Sequence, residues 1–445
     1  MGRLFGTDGV RGKAGDAPLD SATVRRIGAA LVRALAGDAA GRRLLVGRDT
    51  RESGGWIEQD LADGIRSQGA TLTSAGVIPT PAIAYLTRRD GFDAGIVISA
   101  SHNPFEDNGI KVFSGAGEKF TETLEAEVEA IVADGSWSVP VGRGPAVDEV
   151  DLREHYIEHL RRVLPDTSRL GRLRIAVDCA NGATVTVAPR VFADLGFDVT
   201  CIGCEPNGRN INLDCGSTHP QALAALVKGD GYRLGVAFDG DGDRAIFVDA
   251  AGNVVDGDAV MLMCARQMQA EGRLRGDAIV ATVMSNVGLE LALKAHGIGL
   301  VRCPVGDKHV MEEMLRRDLR LGGEQSGHII LSEHLFTGDG LATSLAVLRC
   351  MAAAGQELAS LAAELVTYPQ VLVNVRVKER KDLGSVPAIA AAIADVESRL
   401  AGQGRLLVRY SGTEPLLRVM LEGKDQAEIR RWADDIAAAV REHLA

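Results

Sequence analysis

A short apolar strand, a polar loop, a helical stretch, a glycine and a second apolar strand follow one another three times in this chain. The pattern runs from Leu44–Val46 to Gly69–Thr73, from Ile175–Val177 to Gly196–Thr200, and from Ile279–Ala281 to Gly297–Val301. Strands apolar at every position are buried on both faces, and their alternation with helices predicts mostly parallel sheets covered by helices. Each copy carries one more strand with a loop behind it, at Ala94–Ser99, Leu234–Phe238 and Leu321–Glu324. Three related α/β units would thus each offer a loop at the carboxyl ends of their strands, where ligands of such sheets gather. The tail differs. Val371–Val377 alternates, an Ala-rich helix is expected from about Val386 to Leu400, strands at Leu406–Tyr410 and Leu416–Leu421, and a last helix over Gln426–Leu444. That is a small α+β domain with an antiparallel sheet. The expected fold class is α/β, with three related mixed-sheet α/β domains plus a C-terminal α+β domain. Boundary segments at 148–155, 250–257 and 367–370 divide the chain into 1–150, 151–254, 255–367 and 368–445.

The loop after Leu234–Phe238 carries the strongest chemical signal. Asp239, Asp241 and Asp243 alternate with Gly240 and Gly242, and Arg244 closes the run. Glycines let such a backbone curl until alternate carboxylates converge, and a few carboxylates with a substrate phosphate suit Mg²⁺. Arg244 would neutralise the rest of the phosphate charge. A calcium-binding EF-hand loop is excluded, because its sixth and twelfth places hold Arg244 and Ala250 instead of glycine and glutamate. A dinucleotide fingerprint is excluded because Ile246–Asp249 reads as a strand where a helix must start. A β-hairpin turn with solvated acids is the remaining alternative.

A formal net charge of −11 over 445 residues argues against a nucleic-acid partner and requires any phosphate site to be a local positive pocket. No apolar run approaches the roughly 18 residues of a membrane span, and the start carries no signal-peptide core, so a cytoplasmic location is expected. The seven cysteines include one C-x-x-C pair, Cys201 and Cys204; a zinc site would recruit Cys215 and His219, but the second pair at proper spacing is missing. Reduced structural thiols are expected. No Walker A lysine pattern occurs, which argues against an NTPase.

Three further loops fit phosphate chemistry. In Ser99–Pro104, Ser101 projects from a strand end as a candidate nucleophile or phosphate carrier, with His102 beside it. A phosphorylated Ser101 on Mg²⁺ would need only positioning and charge neutralisation to give up its phosphoryl group. Lys111, in the strand Gly109–Phe113, is either a cation or proton shuttle in the same pocket or an outward-facing strand lysine. Phe5–Gly12 presents Arg11 among glycines. Gly322–His328 combines Glu324, Ser326 and His328, an inventory for gripping sugar hydroxyls, though a plain turn explains it too. Arg409–Pro415 with Arg418 offers a nest for a dianionic phosphate, or a hairpin loop.

Taken together, Ser99–Pro104, Asp239–Arg244, Gly323–His328 and Arg409–Thr413 resemble, in the same order, the motifs of the α-D-phosphohexomutase superfamily. Phe5–Gly12 and Gln325 look most like its branch that interconverts the 6- and 1-phosphates of glucosamine for cell-wall precursors; the phosphomannomutase/phosphoglucomutase branch is similar, and a metal-dependent sugar phosphatase is the alternative from another class. The resemblance implies four domains around one cleft, a resident phosphoserine, one Mg²⁺ per chain, glucosamine 1,6-bisphosphate as intermediate and primer, a small sugar-phosphate substrate and a homodimer. It places the phosphoserine on Ser101 and the metal on Ser101, Asp239, Asp241 and Asp243. Arg11, His102, Lys111, Arg244 and His328 would serve the reacting phosphate. Glu324 and Ser326 would contact the sugar, and Arg409, Ser411, Gly412, Thr413 and Arg418 would clamp the other phosphate. Arg302–Val310 departs from the pattern: Gly306-Asp307-Lys308-His309 stands where Gly-Asp-Arg-Tyr is usual.

Overall fold

The computed structural model describes residues 4–6, 8–35, 41–140, 144–229, 231–411 and 415–444. The chain forms two compact units, one of Met1–Met284 and Leu300–Ala363, the other of Ser285–Gly299 and Glu364–Ala445. The first unit is built on three sheets. A seven-stranded sheet runs in the order Phe5–Gly6, Gly9–Lys13, Asp107–Ser114, Ala94–Ile98, Arg43–Arg48, Thr71–Val77, Asp148–Glu149. A five-stranded sheet has the order Val254–Val255, Ala245–Asp249, Leu234–Phe238, Arg174–Asp178, Asp198–Ile202. A four-stranded sheet orders Gly299–Cys303, Ala278–Thr282, Leu321–Gly323, Ile329–Leu331.

Each of these sheets contains parallel pairs, which extend to the edge strands Asp148–Glu149 and Asp198–Ile202. Ala94–Ile98 lies parallel to Arg43–Arg48, Leu234–Phe238 to Arg174–Asp178, and Leu321–Gly323 to Ala278–Thr282. Each of those strands then turns back into an antiparallel partner, Asp107–Ser114, Ala245–Asp249 or Ile329–Leu331. The sheets are mixed, as the expected fold class has them, rather than mostly parallel as the strand pattern alone suggests. The reason is loop length: a parallel return needs a crossover of about a dozen residues or more, and these connecting loops are too short. The same strand, loop and antiparallel return therefore recurs three times, and all three loops carry candidate residues. Both Ala94–Ile98 and Leu234–Phe238 are buried at every position, which holds their carboxyl ends rigidly.

Helices cover these sheets, and some begin at side-chain caps. Asp20 accepts from Ala22 N and Thr23 N to start Ser21–Ala34, and Asp339 accepts from Ala342 N to start Gly340–Ala354. Ile27, Leu31, Leu44, Ile57, Leu61, Ile96 and Ile98 join helices to strands in one buried cluster. In the second unit Gln370–Arg376, Leu416–Glu422 and Arg405–Tyr410 form an antiparallel sheet, in that order. Gln370–Arg376 alternates exposed and buried, and Val371, Val373 and Val375 pack with Ile429, Ala433, Ile436 and Val440 of Gln426–Leu444. The seven cysteines are free thiols, and neither cluster of metal-ligating side chains among the described residues contains one. Among the described residues no helix is long and apolar enough to cross a membrane.

One buried imidazole makes stability depend on pH. His159 stacks on Tyr85 at 4.0 Å between ring centres, and its Nε2 has no hydrogen-bond partner. Burial, helped by His334, Arg162 and Arg88, pushes its pKa from 6.5 down to about 4. The unfolded chain binds this proton first as pH falls, so the stability of the neutral form is intact above pH 6.5 and drains away between 6.5 and about 4. The expected loss is roughly 2 kcal/mol, discounted for partial solvent access. Thermal unfolding of the wild type and of His159→Phe across that window checks this: the variant should give the flatter curve, and parallel curves would contradict it.

Candidate active site

The turn Asp239–Arg244 is a hairpin, with Phe238 opposite Ala245. The hairpin alternative is right about the shape and wrong about the solvent. Asp239, Asp241 and Asp243 are 0%, 1% and 3% exposed, and one ligand atom of each lies within 4.8 Å of the others. Gly240 permits this burial, because a Cβ there would stand 2.5 Å from the Ser101 carbonyl oxygen. Burial, then the carboxylates of Asp243 and Asp241, push the Asp239 pKa well above the carboxylate range. At Asp243 burial acts in the same direction, but Lys111 and His328 outweigh it and hold the group ionised. One oxygen each of Asp241 and Asp243 is buried without a hydrogen-bond partner. Converging, mutually repelling, under-bonded carboxylate oxygens are a donor set that fits a hard divalent cation.

Ser101 comes to the same point from the loop after Ala94–Ile98. Its hydroxyl donates to Asp239 Oδ2 at 2.5 Å, and its backbone has φ +51°, a left-handed conformation uncommon outside glycine. That conformation is held from several sides. Ser101 N donates to Ser99 Oγ, Ser99 Oγ donates to Asp49 Oδ2, and Asn212 Nδ2 donates to the Ser101 carbonyl. The buried Arg51 pairs with Asp49 and donates to the Asn103 carbonyl. His102 Nδ1 stands 3.3 Å from Ser101 Oγ; burial, Arg244 and Arg11 lower its pKa, which favours a neutral imidazole. Arg11 Nη1 donates to the Ala100 carbonyl at 2.7 Å, so that guanidinium backs the serine loop.

Lys111 is not an outward strand lysine. At 2% exposure its Nζ lies 2.8 Å from Asp241, 3.1 Å from Asp243 and 3.0 Å from Asp8. Burial lowers its pKa, but those carboxylates outweigh it and raise the group well above the ordinary lysine value. In this setting it is a fixed cation. A closed ring of polar contacts continues from it: Asp8 meets Lys119, Lys119 meets Asp307, Asp307 lies 3.7 Å from His328 Nε2, and His328 Nδ1 lies 3.5 Å from Asp243. Because Nε2 accepts from Gly338 N at 3.1 Å, the Nδ1 proton points to Asp243. The sequence reading missed Asp8, Asp49, Arg51, Asn212, Lys119 and Asp307 as members of this site. Asp8 and Asp307 did lie inside segments it had singled out, Phe5–Gly12 and Arg302–Val310.

Arg244 and the third loop frame a neighbouring cleft of about 480 Å³ lined by Arg244, Asp256, Thr282, Glu324, Gln325 and Ser326 among others. Arg244 N donates to Asp239 Oδ1 at 3.1 Å, and Arg244 pairs with His328 in an isolated antiparallel bridge, joining the acidic loop to the third loop. Glu324 Oε1 accepts from Gly306 N at 3.2 Å, so the divergent Gly306–His309 segment touches the cleft wall. Ser101, His102, Lys111, Arg11, Arg244, His328, Glu324, Ser326 and the three aspartates are thus all in one unit. In the other unit Arg409 and Arg418 face each other across paired strands, and Arg418 Nη2 reaches Ser411 Oγ at 3.5 Å. Gly412 and Thr413 lie outside the described residues.

Four family models cover most of the chain. They are the phosphoglucomutase/phosphomannomutase alpha/beta/alpha domain I over residues 2–138, domain II over 154–252, domain III over 256–368, and the C-terminal domain over 372–439. A phosphoglucosamine mutase of Solibacter usitatus is 50% identical over 444 residues, 99% of each chain. One from a Geobacter species is 48% identical over 450 residues, covering 100% of this chain and 99% of its own. Among solved structures, a phosphoglucomutase/phosphomannomutase family protein of Burkholderia thailandensis superposes with TM-score 0.81 at 25% identity, over 99% of this chain and 97% of its own.

Proposed function

From the premise that the chain belongs to the phosphoglucomutase/phosphomannomutase family, we propose that it interconverts glucosamine 6-phosphate and glucosamine 1-phosphate through a phosphoserine at Ser101. The observation that carries the serine's role is the 2.5 Å contact of its hydroxyl with one of three converging buried carboxylates. A phosphate there meets Lys111, Arg11 and Arg244, the local positive pocket that an acidic protein needs. In the forward direction the sugar O1 attacks phospho-Ser101; the O1–P bond forms, the Oγ–P bond breaks, and the proton lost from O1 ends on Oγ, where His102 Nδ1, 3.3 Å away, is placed to deliver it. The glucosamine 1,6-bisphosphate then reorients and its 6-phosphate returns to Ser101 by the reverse displacement, so one site serves both halves. Glu324 and Ser326 hold the sugar. Arg409, Ser411, Gly412, Thr413 and Arg418 hold the phosphate not reacting, so that positioning supplies much of the rate.

Asp239, Asp241 and Asp243, with Ser101, would hold one Mg²⁺, which when bound draws negative charge from the transferring phosphoryl group. We read the four domains as spanning 1–150, 151–254, 255–367 and 368–445, and the protein as a cytoplasmic homodimer without nucleic-acid or membrane partners. Steady-state kcat/KM on the 6-phosphates of glucosamine, glucose and mannose, primed with bisphosphate, tests the reading. Glucosamine 6-phosphate should lead by about tenfold or more, the scale of one well-made polar contact. A lead for glucose or mannose would move the assignment to the other branch, and release of free phosphate without isomer would make it a phosphatase.

A further inference from the structure

The cleft beside the acidic loop has a second carboxylate on its wall, at a position read from sequence only as a domain boundary. Asp256 lines it together with Glu324, Gln325 and Ser326, and Arg244 is the cation among the described lining residues. Its carboxylate is fixed from two sides. Oδ1 accepts from Asp258 N at 3.1 Å and Ala259 N at 3.3 Å, capping the helix Gly257–Ala270, and Oδ2 accepts from Gln325 Nε2 at 3.0 Å. The backbones are locked as well: Gly257 N donates to the Gln325 carbonyl at 3.0 Å, and a Cβ on Gly257 would stand 2.1 Å from the Glu324 carbonyl oxygen. The start of this helix and the third loop are thus pressed into one piece. The Asp256 oxygens keep lone pairs beyond the bonds they accept here.

Two carboxylates in one cleft are a poor match for a sugar phosphate that is anionic everywhere. A sugar with a hydroxyl at C2 brings no positive charge to this pair, for which Arg244 is the cation among the described lining residues, whereas a protonated amine at C2 neutralises one carboxylate through a charge-assisted hydrogen bond. We propose that Asp256, held in place by Gln325, receives the C2 ammonium of the substrate and sets the preference for an amino sugar over a 2-hydroxy sugar. The proposal rests on the function put forward above. Gln325 is the positioning residue: it makes the contact that aims the carboxylate, which gives a physical role to the residue singled out in the sequence.

The test is kcat/KM for glucosamine 6-phosphate and glucose 6-phosphate in the wild type, Asp256→Asn and Gln325→Leu. Asparagine caps a helix about as well as aspartate, so Asp256→Asn removes the charge and spares the cap. The glucosamine-to-glucose ratio should fall about tenfold to a hundredfold in Asp256→Asn, the range for a hydrogen bond to a charged group, and the loss should appear in KM more than in kcat. In Gln325→Leu, where the charge stays but loses its tether, the ratio should fall by about threefold to tenfold. A ratio in Asp256→Asn within about twofold of a wild type that prefers glucosamine, on the same scale, overturns the proposal and leaves the function standing. A wild type that turns over glucose 6-phosphate but not glucosamine 6-phosphate overturns the functional reading and the proposal with it. Should Asp256→Asn fail to fold by circular dichroism, an unchanged ratio in Gln325→Leu overturns the proposal.

Discussion

Ser101→Ala protein is expected to lose steady-state interconversion by about a thousandfold or more, the scale seen when a covalent carrier is removed from an otherwise intact site. The prediction is specific because the substitution is structurally mild. Alanine and serine face a similar steric cost at φ +51°, and the loop is held by Ser99, Asn212 and Arg51 through bonds that do not involve the Ser101 hydroxyl. What is lost is one donor to Asp239, whose other oxygen still accepts from Arg244 N. The melting temperature should therefore move little while turnover collapses. Intact mass supplies the independent readout: wild-type protein should carry a species heavier by about 80 Da, one phosphate, that Ser101→Ala lacks. Near-wild-type turnover in the variant would sink the phosphoserine role, whatever the mass spectrum shows.

How much of this was legible beforehand follows from how local each signal is. The strand-loop units, the alternating tail strand and the last helix, Gln426–Leu444, are written in periodicity, and the structure places them there. The acidic loop, Ser101 and the third loop are contiguous motifs, so their chemistry can be read without a fold. The ring was not legible, because its members pair across the chain: Lys119 and Asp307 are 188 residues apart, and although Asp307 lies in the divergent Arg302–Val310 segment, nothing local says what either pairs with. Asp49 and Arg51 likewise follow a strand end, as Ser101 does, but nothing local says that both are buried against the serine loop. Asp256 was hidden as well. The segment 250–257 was read only as a domain boundary, and the structure adds that it holds a short strand, Val254–Val255, and the cap of a helix.

Lys111→Met should have the second large effect, and it should depend on metal. The Lys111 ammonium is the cation that three carboxylates share, the buried Asp241 and Asp243 and the half-buried Asp8, and methionine keeps an unbranched stem of similar bulk without the charge. Removing one partner of a buried charge network leaves the others uncompensated, which costs about 3–5 kcal/mol. Denaturant unfolding in the presence of a chelator should show that loss in full. Added Mg²⁺ should recover part of it, because a cation bound to the native carboxylates and not to the unfolded chain stabilises by mass action, and the variant's uncompensated acids attract it more strongly. The wild type, with Lys111 already neutralising the cluster, should gain less from the same addition. Turnover should stay low even with Mg²⁺ restored, by about a hundredfold or more, since the metal replaces the charge but not the cation at the transferring phosphate. Equal stability of variant and wild type in chelator would mean that the three carboxylates do not depend on Lys111. A gain from Mg²⁺ no larger than the wild type's would mean that the acidic loop does not hold the metal.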